Sequence, residues 1–428
     1  MARFGLYADR CRSCSQPSIR KHTAEGSIMR TSSARRDMIC RYTTERATSL
    51  HLIALFLAST LVNIGCGGMS TPTVSSTPIT ITSQFLYVTG EIQGDRTQIF
   101  GYRIQMDGTL SPLALPSLIA PYCCHQATSS GSVLYIADFG GGVAAMSSDA
   151  QSGQLTALPG SPFLGPTASA TGTPTACGKK FLYVTNGYPG GIFAFTIDSK
   201  GGLNTIPGSP FPTGMFPGQP VLDPLCRFLF VTNSSDGGPT GKGGLVYAYT
   251  VDAVTGNLSP VDGSPFTVGR STSIMHSIAV DTNGNFLYVP DHDSQTISGF
   301  SIASTGALTP LTGSPFNGNQ APFFALAVGG SAAQFLYVAN AASNSLSVFA
   351  IDSATGQLSL VSDFATTSQP SFLVFSGNFL YSFNVVSGNV SSNNINVFSV
   401  NEDGTPHQIS MDGTLAYFPV SAAVSTSQ

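Results

Sequence analysis

The sequence of 428 residues has no tryptophan, six histidines and few charged side chains, since Asp, Glu, Lys and Arg together make up only 9% of it. The missing tryptophan and the sparse histidine give little support to redox or metal chemistry. With 42% hydrophobic residues, 46 glycines and 27 prolines, the chain is too apolar for disorder and too rich in turn formers for a helical protein. No stretch of the body shows a helical apolar period. We therefore expect an ordered protein of strands and turns.

Positive charge is scarce outside the N-terminal region. Residues 1–65 carry ten Lys or Arg against four Asp or Glu, whereas the rest of the chain carries eight against eighteen, a balance of −10. A nucleic-acid-binding surface needs clustered Lys and Arg to contact phosphates, and the acidic body has no basic stripe. The sequence therefore predicts no nucleic-acid partner. Since no cofactor motif is present either, we expect no cofactor.

The N-terminal region has the pattern of an export signal. The five arginines Arg30, Arg35, Arg36, Arg41 and Arg46 shortly precede the apolar run Leu50–Gly65, which has the length of a signal peptide and is shorter than the roughly 20 residues that a spanning helix needs. The stretch from Val62 to Cys66 resembles a bacterial lipobox, in which the cysteine is lipidated. An uncleaved anchor, or a signal peptide cut elsewhere, is the alternative. We expect an exported, membrane-anchored lipoprotein that faces the periplasm or the cell surface.

These features divide the chain into three parts. Residues 1–65 form the leader, and residues 66–77 are rich in Gly, Ser, Thr and Pro, which is typical of a flexible tether. Residues 78–428 form the body, which a lipid on Cys66 would hold near a membrane surface.

The body repeats one short apolar motif. The hexapeptide FLYVTN at Phe181–Asn186 returns as FLFVTN, FLYVPD and FLYVAN, and its variants begin at Phe85, Val133, Phe181, Phe228, Phe286, Phe335 and Phe379. A second mark, a turn glycine followed by an apolar strand, recurs in the same phase at Gly108, Gly153, Gly201, Gly256, Gly306, Gly356 and Gly404. A third mark, GSPF, occurs at Gly160, Gly208, Gly263 and Gly313. Aromatic and β-branched residues in the hexapeptide predict packing between sheets, so this motif builds the frame.

Each unit of roughly 48 residues contains four short strands separated by turns, which is the size of a propeller blade. The sequence thus predicts an all-β fold, a seven-bladed β-propeller of four-stranded antiparallel blades, with eight blades as the alternative. The tail at Pro406–Val420 also looks like a strand pair. It either completes the last blade or closes the ring by pairing with an opening strand at Pro78–Thr82, because an open ring would expose unpaired strand edges.

The order FLYVTN, GIFAFTID, GGLNTIPGSPF and FLFVTN over residues 181–233 resembles the YVTN-repeat propellers of the lactonase (6-phosphogluconolactonase-like) family. The resemblance covers nearly all of residues 76–428. It implies a seven-bladed propeller and, for the enzymes of the family, lactone hydrolysis that uses a Pro-Arg-His stretch before an inner strand together with Arg and Glu around the channel mouth. This sequence does not preserve the adjacent Arg-His pair.

Four residues are candidates for a hydrolytic site. Lactone hydrolysis needs a general base and a donor or cation that stabilises the developing oxyanion. The resemblance points to His276 or His125 as the base, to Arg270 as the group that binds an anionic substrate or the oxyanion, and to Glu91 as an orienting carboxylate.

Two further groups of side chains could bind a metal or form a disulfide. Asp291, His292 and Asp293 are potential metal ligands, although adjacent residues in one loop rarely face one centre, and a solvated turn is favoured. Cys177 and Cys226 occupy matching positions just before two hexapeptides, so a disulfide between neighbouring blades is predicted for an exported protein. A vicinal bond between Cys123 and Cys124 would be strained and is disfavoured.

The sequence favours a binding or interaction scaffold at the cell envelope, because the catalytic pair is not preserved and the loops are rich in Ser, Thr, Asn and Gly. Such loops suit contacts with a protein, a glycan or a small molecule at the propeller face. The alternative is a lactonase-type hydrolase of sugar or related lactones. A propeller is a scaffold for many activities, so the fold alone does not decide between them.

Overall fold

A computed structural model describes residues 84–426 with gaps at 93–95, 116–118, 121–125, 139–141, 165–173, 188–189, 215–216, 234–243, 269–276, 293, 319–321, 330–333, 387–392 and 416. Every regular element in this part of the chain is a β-strand, and the strands form seven separate antiparallel sheets. The predicted seven-bladed propeller is confirmed and the eight-bladed alternative is wrong. None of the described residues form a helix with the length and apolar character that crossing a lipid bilayer requires.

The strands follow the chain blade by blade. Blade 1 contains β1 (Gln84–Ile92), β2 (Arg96–Ile104), β3 (Leu110–Pro112), β4 (Ile119–Ala120) and the last strand of the chain, β32 (Phe418–Thr426). Blade 2 contains β5 (Gln126–Ser130), β6 (Val133–Asp138), β7 (Gly142–Ser148), β8 (Leu155–Ala157) and β9 (Phe163–Leu164). Blade 3 contains β10 (Pro174–Cys177), β11 (Phe181–Asn186), β12 (Gly191–Ile197) and β13 (Leu203–Thr205).

The remaining blades repeat this order. Blade 4 contains β14 (Pro217–Leu222), β15 (Phe228–Asn233), β16 (Leu245–Val251), β17 (Leu258–Pro260) and β18 (Phe266–Thr267). Blade 5 contains β19 (Ala279–Val280), β20 (Phe286–Asp291), β21 (Thr296–Ile302), β22 (Leu308–Pro310) and β23 (Phe316–Asn317). Blade 6 contains β24 (Pro322–Gly329), β25 (Gln334–Asn340), β26 (Ser345–Ile351) and β27 (Leu358–Ala365). Blade 7 contains β28 (Gln369–Ser376), β29 (Phe379–Val385), β30 (Asn393–Val400) and β31 (Pro406–Leu415).

The first strands of the blades lie innermost, because they contact one another in a closed series around the ring. The hexapeptide forms the second strand of every blade. We define the loop end of the propeller as the end at which the second strand of each blade finishes and the first strand of each blade begins. The opposite end, where the tight turns lead into the outer strands, is called the turn end.

The core consists of seven apolar clusters, each between two adjacent blades. Successive residues of a strand point to opposite faces of its sheet, so the hexapeptide fills two clusters at once. In blade 1, Leu86 and Val88 pack toward blade 7, whereas Phe85 and Tyr87 pack toward blade 2. All four are at most 1% exposed. The prediction that the hexapeptide builds the frame is confirmed.

The two main sequence marks recur in phase because they touch each other between neighbouring blades. The tyrosine hydroxyl of a hexapeptide donates to the carbonyl of the turn glycine in the next blade at 2.7–2.9 Å, and the pairs are Tyr87–Gly153, Tyr135–Gly201, Tyr183–Gly256, Tyr288–Gly356, Tyr337–Gly404 and Tyr381–Gly108. Burial raises the pKa of Tyr183 and Tyr288 above its ordinary value. These hydroxyls therefore stay protonated and remain donors.

Blade 4 lacks this hydrogen bond because its hexapeptide carries Phe230 in place of tyrosine. Phe230 is fully buried, and the carbonyl of Gly306 occupies the equivalent turn position in blade 5. We expect Phe230→Tyr to raise the free energy of unfolding by about 1 kcal/mol, because a buried hydrogen bond is added. Tyr337→Phe should lower it by about 1–3 kcal/mol, because it leaves the Gly404 carbonyl unpaired.

Urea denaturation of the two variants beside the unsubstituted protein measures both effects. Equal destabilisation by the two substitutions would contradict the proposed role of the hydroxyl, since only one of them removes an existing hydrogen bond.

The GSPF mark has a local function in blades 2 to 5. Its serine hydroxyl accepts a hydrogen bond from a backbone N–H of the third strand at 2.9–3.0 Å, and its Ser-Pro peptide is cis in all four copies. In these four blades the outer strand has only three residues before GSPF begins. The motif therefore ends the outer strand early and fixes the chain against the blade.

The tail of the chain both completes blade 7 and closes the ring. Strand β31 is the outer strand of blade 7, whereas β32 pairs along β1 and supplies the first strand of blade 1. The sequence left two outcomes open for the tail, and both occur: its first half completes blade 7 and its second half closes the ring. Residues 78–82, the closing partner predicted from the sequence, lie outside the described residues, and β1 takes that role.

Tyr417, just before β32, is buried where the ring closes. Its ring stacks on Phe100 with centroids 3.6 Å apart, and its hydroxyl lies 3.0 Å from the hydroxyl of Tyr102. Its carbonyl accepts a hydrogen bond from Asn393 at 2.8 Å. A Cβ on Gly90 would overlap the Tyr417 ring. Glycine is therefore required at this position of blade 1, where other hexapeptides end in Asn or Asp.

A disulfide joins blades 3 and 4 at the turn end. It links Cys177, the last residue of β10, to Cys226 in the turn before β15, with their Cα atoms 5.7 Å apart. This is the pairing predicted from the matching positions of the two cysteines. The disulfide crosses a blade boundary and joins two cysteines that are 49 positions apart in the sequence. It therefore restricts the conformations of the unfolded chain, which stabilises the folded state.

Candidate functional site

The loop end carries a belt of buried polar side chains at the sixth hexapeptide position. Asn stands there in four blades and Asp in blades 2 and 5, and the five side chains that the structure describes are at most 2% exposed: Asn186, Asn233, Asp291, Asn340 and Asn384. Buried amides and carboxylates are costly unless they make hydrogen bonds. The sequence did not predict this belt, because the repeated hexapeptide is explained as a whole by packing between blades. The signal was the polar residue that closes each apolar strand.

Hydrogen bonds within blades 6 and 7 hold part of the belt. Asn340 donates to the hydroxyl of Ser347 at 2.7 Å. Asn384 donates to the side-chain carbonyls of Asn394 and Asn396 at 2.8 and 2.6 Å. The side-chain oxygen of Asn340 has no hydrogen-bond partner among the described residues, and the same is true of Asn186. The belt therefore keeps acceptors that a hydroxyl group could satisfy.

Three carboxylates of the described chain are buried at 0–1% exposure, and two of them are structural. Asp223 pairs with Arg227 at 2.8 Å and accepts the N–H of Phe228, while Asp281 accepts the N–H of Phe286 at 2.7 Å. Both hold hairpins at the turn end. Asp291 is the third, and it alone lies at the loop end.

Asp291 organises the loop that joins β20 to β21. Its Oδ1 accepts the N–H of Ser294 at 3.0 Å, and the hydroxyls of Ser294 and Thr296 are 2.7 Å apart. His292 follows directly and is half-buried. A carboxylate, an imidazole and two hydroxyls thus lie in one short loop, and an imidazole is the commonest general base in proteins.

The structure places only some of the predicted site residues. Glu91 is half-buried near the end of β1 in blade 1, whereas Asp291 and His292 belong to blade 5. The remaining candidates, Arg270, His276, His125, Asp293 and the lipidation site Cys66, lie outside the described residues. Within the described ranges, no three potential metal ligands come together. The metal prediction for Asp291, His292 and Asp293 therefore stays untested.

Comparison with known proteins supports the lactonase resemblance. Residues 275–375, which include Asp291 and His292, match the family described as lactonase, 7-bladed beta-propeller. A curated 6-phosphogluconolactonase from Erwinia tasmaniensis is 29% identical over 136 residues, which cover 31% of this chain and 36% of that protein. The match thus spans about a third of the length of this curated relative.

Solved structures share the architecture. A protein from Bacteroides uniformis described as a candidate 6-phosphogluconolactonase superimposes with a TM-score of 0.63 at 18% identity, covering 80% of this chain and 99% of that one. A periplasmic gluconolactonase from Pseudomonas aeruginosa gives a TM-score of 0.60 at 18% identity, covering 81% and 99%. At these identities the likeness shows the fold alone.

The described residues form a seven-bladed β-propeller, and residues 275–375 match the lactonase family model. Solved structures with this architecture include 6-phosphogluconolactonase-like propellers.

Proposed function

We propose that the propeller hydrolyses a lactone, of a sugar or a related compound, at its loop end. The observation that carries the proposal is the carboxylate of Asp291, beside His292, which is the one buried carboxylate that the described side chains place at this end and which lies in the segment that matches the lactonase family. The curated relative from Erwinia tasmaniensis is named a 6-phosphogluconolactonase, which adds support. This proposal reverses the preference drawn from the sequence, which placed a scaffold first.

The chemistry requires few groups. Water attacks the lactone carbonyl and a base accepts its proton; the ring C–O bond then breaks, the protonated base returns the proton to the ring oxygen to give a free hydroxyl, and the carboxylic acid formed ionises to a carboxylate. We assign His292 as the base and Asp291 as a positioning residue, which holds the loop through the Ser294 N–H. The buried amides of the belt suit hydrogen bonds to the hydroxyl groups of a substrate. The sequence-based roles of Arg270, His276, His125 and Glu91 remain predictions.

We expect His292→Ala to lower kcat/KM for lactone opening by about 100-fold or more, because general base catalysis contributes about 10²–10⁴. Asp291→Asn should lower it by roughly tenfold, because a neutral amide holds the Ser294 N–H, and with it the loop, less tightly than the carboxylate does. Steady-state rates between pH 5 and 9, corrected for spontaneous opening, measure both. His276→Ala in the same series decides whether His292 or His276 is the base. Arg270→Ala tests the predicted binding of an anionic substrate or of the oxyanion.

Asp352→Asn is the control, because Asp352 is an exposed turn aspartate at the turn end that accepts the Thr355 N–H at 2.8 Å. It should change the rate less than twofold. Equal losses for the control and the loop variants would contradict a loop-end site.

Export and a lipid anchor at Cys66 are part of the same proposal. The periplasmic location of the Pseudomonas aeruginosa neighbour supports export. Anchoring rests on the sequence alone, and metabolic labelling with palmitate that disappears in Cys66→Ser would test it. A scaffold at the envelope is the second candidate function, and the outer strands of blades 6 and 7 favour it, as described next.

A further inference from the structure

Blades 6 and 7 end in unusually long outer strands. Strand β27 has eight residues and β31 has ten, whereas the outer strands of blades 2 to 5 have three residues each before the GSPF turn. Prolines and short lengths protect sheet edges from pairing with other chains. No described strand pairs with the outer edge of β27 or β31. These two adjacent blades therefore present bare edges.

The same two strands expose large apolar side chains. Leu360 and Val361 on β27 are 54% and 39% exposed, and Ile409 and Met411 on β31 are 37% and 54% exposed. The other exposed large hydrophobic residues of the described chain lie in turns. Val361 and Ile409 are the extra residues of β-bulges, which shift the alternation of side chains along each strand.

A cavity lies beside β27 at the outer rim. It has a volume of about 260 Å³, and its lining residues are Phe316, Asn317, Phe349, Leu358, Leu360 and Asp363. Because of the bulge at Val361, the Asp363 side chain lines the same cavity as Leu358 and Leu360. One carboxylate oxygen of Asp363 accepts the hydroxyl of Ser347 at 2.5 Å. The cavity is thus apolar with one fixed negative charge.

We propose that the edge of β27 and this cavity bind an extended segment of a partner protein that carries apolar residues and a Lys or Arg on the same face of the strand, because Leu358, Leu360 and Asp363 line one cavity. The segment adds as a strand to the free edge, which is a general mode of peptide recognition. Its apolar side chains occupy the cavity, and a basic side chain pairs with Asp363. Blades 1 to 5 cannot bind in this way, because their outer strands have only three residues each.

Charge argues for a different protein as the partner, not a second copy of this chain. After residue 65 the chain carries eighteen acidic residues against eight basic ones. Two copies of this acidic body would repel each other, whereas a basic segment is attracted. The proposed surface lies on the rim, so it does not depend on lactone hydrolysis at the loop end.

Fluorescence anisotropy with the full-length protein tests the proposal with a labelled ten-residue peptide, called the Lys-Val peptide, that carries Val and Lys at alternate positions on one face of the strand and Ser at the positions between them. We expect saturable binding, a loss of at least about tenfold in affinity with Leu360→Ser, and no loss with Met411→Ser, which removes an equally exposed side chain from blade 7. A peptide with proline at its centre should bind at least about tenfold more weakly, because it cannot complete the strand ladder.

A charge exchange separates this site from general attraction to an acidic protein. Asp363→Lys should weaken the Lys-Val peptide and create binding for a Glu-Val peptide, and thermal unfolding verifies that each variant is folded. Equal affinity for Leu360→Ser and Met411→Ser would overturn the proposal. A dimer of the protein that disappears in Leu360→Ser would also overturn it, in favour of a second copy as the occupant.

Discussion

Replacing Tyr417 by alanine should lower the free energy of unfolding by about 3–5 kcal/mol, the typical cost of removing a buried aromatic side chain. The ring of Tyr417 fills the cluster between blades 7 and 1, stacks on Phe100 and lies 2% exposed. Burial, and secondarily the neighbouring Tyr102, raises its pKa well above the ordinary value, so its hydroxyl stays protonated. Denaturant unfolding, with limited proteolysis of the last strand, measures the effect.

Tyr417→Phe is the matched control, because it keeps the ring and removes only the contact with the Tyr102 hydroxyl. It should cost about 1 kcal/mol. Gly90→Ala should approach the cost of Tyr417→Ala, because its Cβ would overlap the same ring. If Tyr417→Ala were no more destabilising than Tyr417→Phe, the ring would not secure the closure and β32 pairing alone would explain it.

Gly356→Ala should cost about 2–5 kcal/mol, the second large effect. Gly356 has φ +71°, and a Cβ there would overlap the ring of Phe286 in the preceding blade. A left-handed backbone costs a non-glycine residue roughly 1–2 kcal/mol, and overpacking adds about 1–3 kcal/mol. Unfolding in urea provides the measurement.

Gly377 offers a control with the same backbone and no close contact. Its φ is +58°, and a Cβ there would meet nothing within 4 Å. Gly377→Ala should therefore show only the backbone cost of about 1–2 kcal/mol. Equal losses at Gly356 and Gly377 would mean that the contact between neighbouring blades contributes nothing.

Much of the frame was predictable because the repeated residues contact one another. The apolar residue that opens each hexapeptide, an aromatic in every blade except blade 2, packs over the turn glycine of the next blade, as Phe286 does over Gly356, so both marks must recur with the same spacing. The phase of the marks therefore predicted the number of blades. The pairing of Cys177 with Cys226 followed from the same phase, because neighbouring blades place equivalent positions side by side.

The closure and the site were harder to predict, for different physical reasons. Strand β32 has small, weakly apolar residues, and it pairs with β1 more than 300 positions away, which local patterns cannot reveal. Asp291 was noticed only as a potential metal ligand, because sequence alone does not show that its carboxylate is fully buried. The edge of β27 depends on a bulge, which shifts Asp363 into the cavity without a clear sequence signal.

The same architecture thus provides two separate surfaces. The loop end combines buried amides with Asp291 and His292, and the rim of blade 6 combines a bare strand with an apolar cavity. Propellers keep their frame constant and vary such surfaces, so hydrolysis and partner binding are compatible in one chain.

The most direct test of the central claim is the rate of ring opening of glucono-δ-lactone with increasing amounts of the full-length protein. Proton release at constant pH reports each turnover. The proposal predicts a rate that rises in proportion to protein concentration above the spontaneous rate, and that falls by about 100-fold or more in His292→Ala. A rate that never exceeds the spontaneous one, with this lactone or with a panel of sugar and aliphatic lactones, would contradict it and leave the propeller as a binding scaffold.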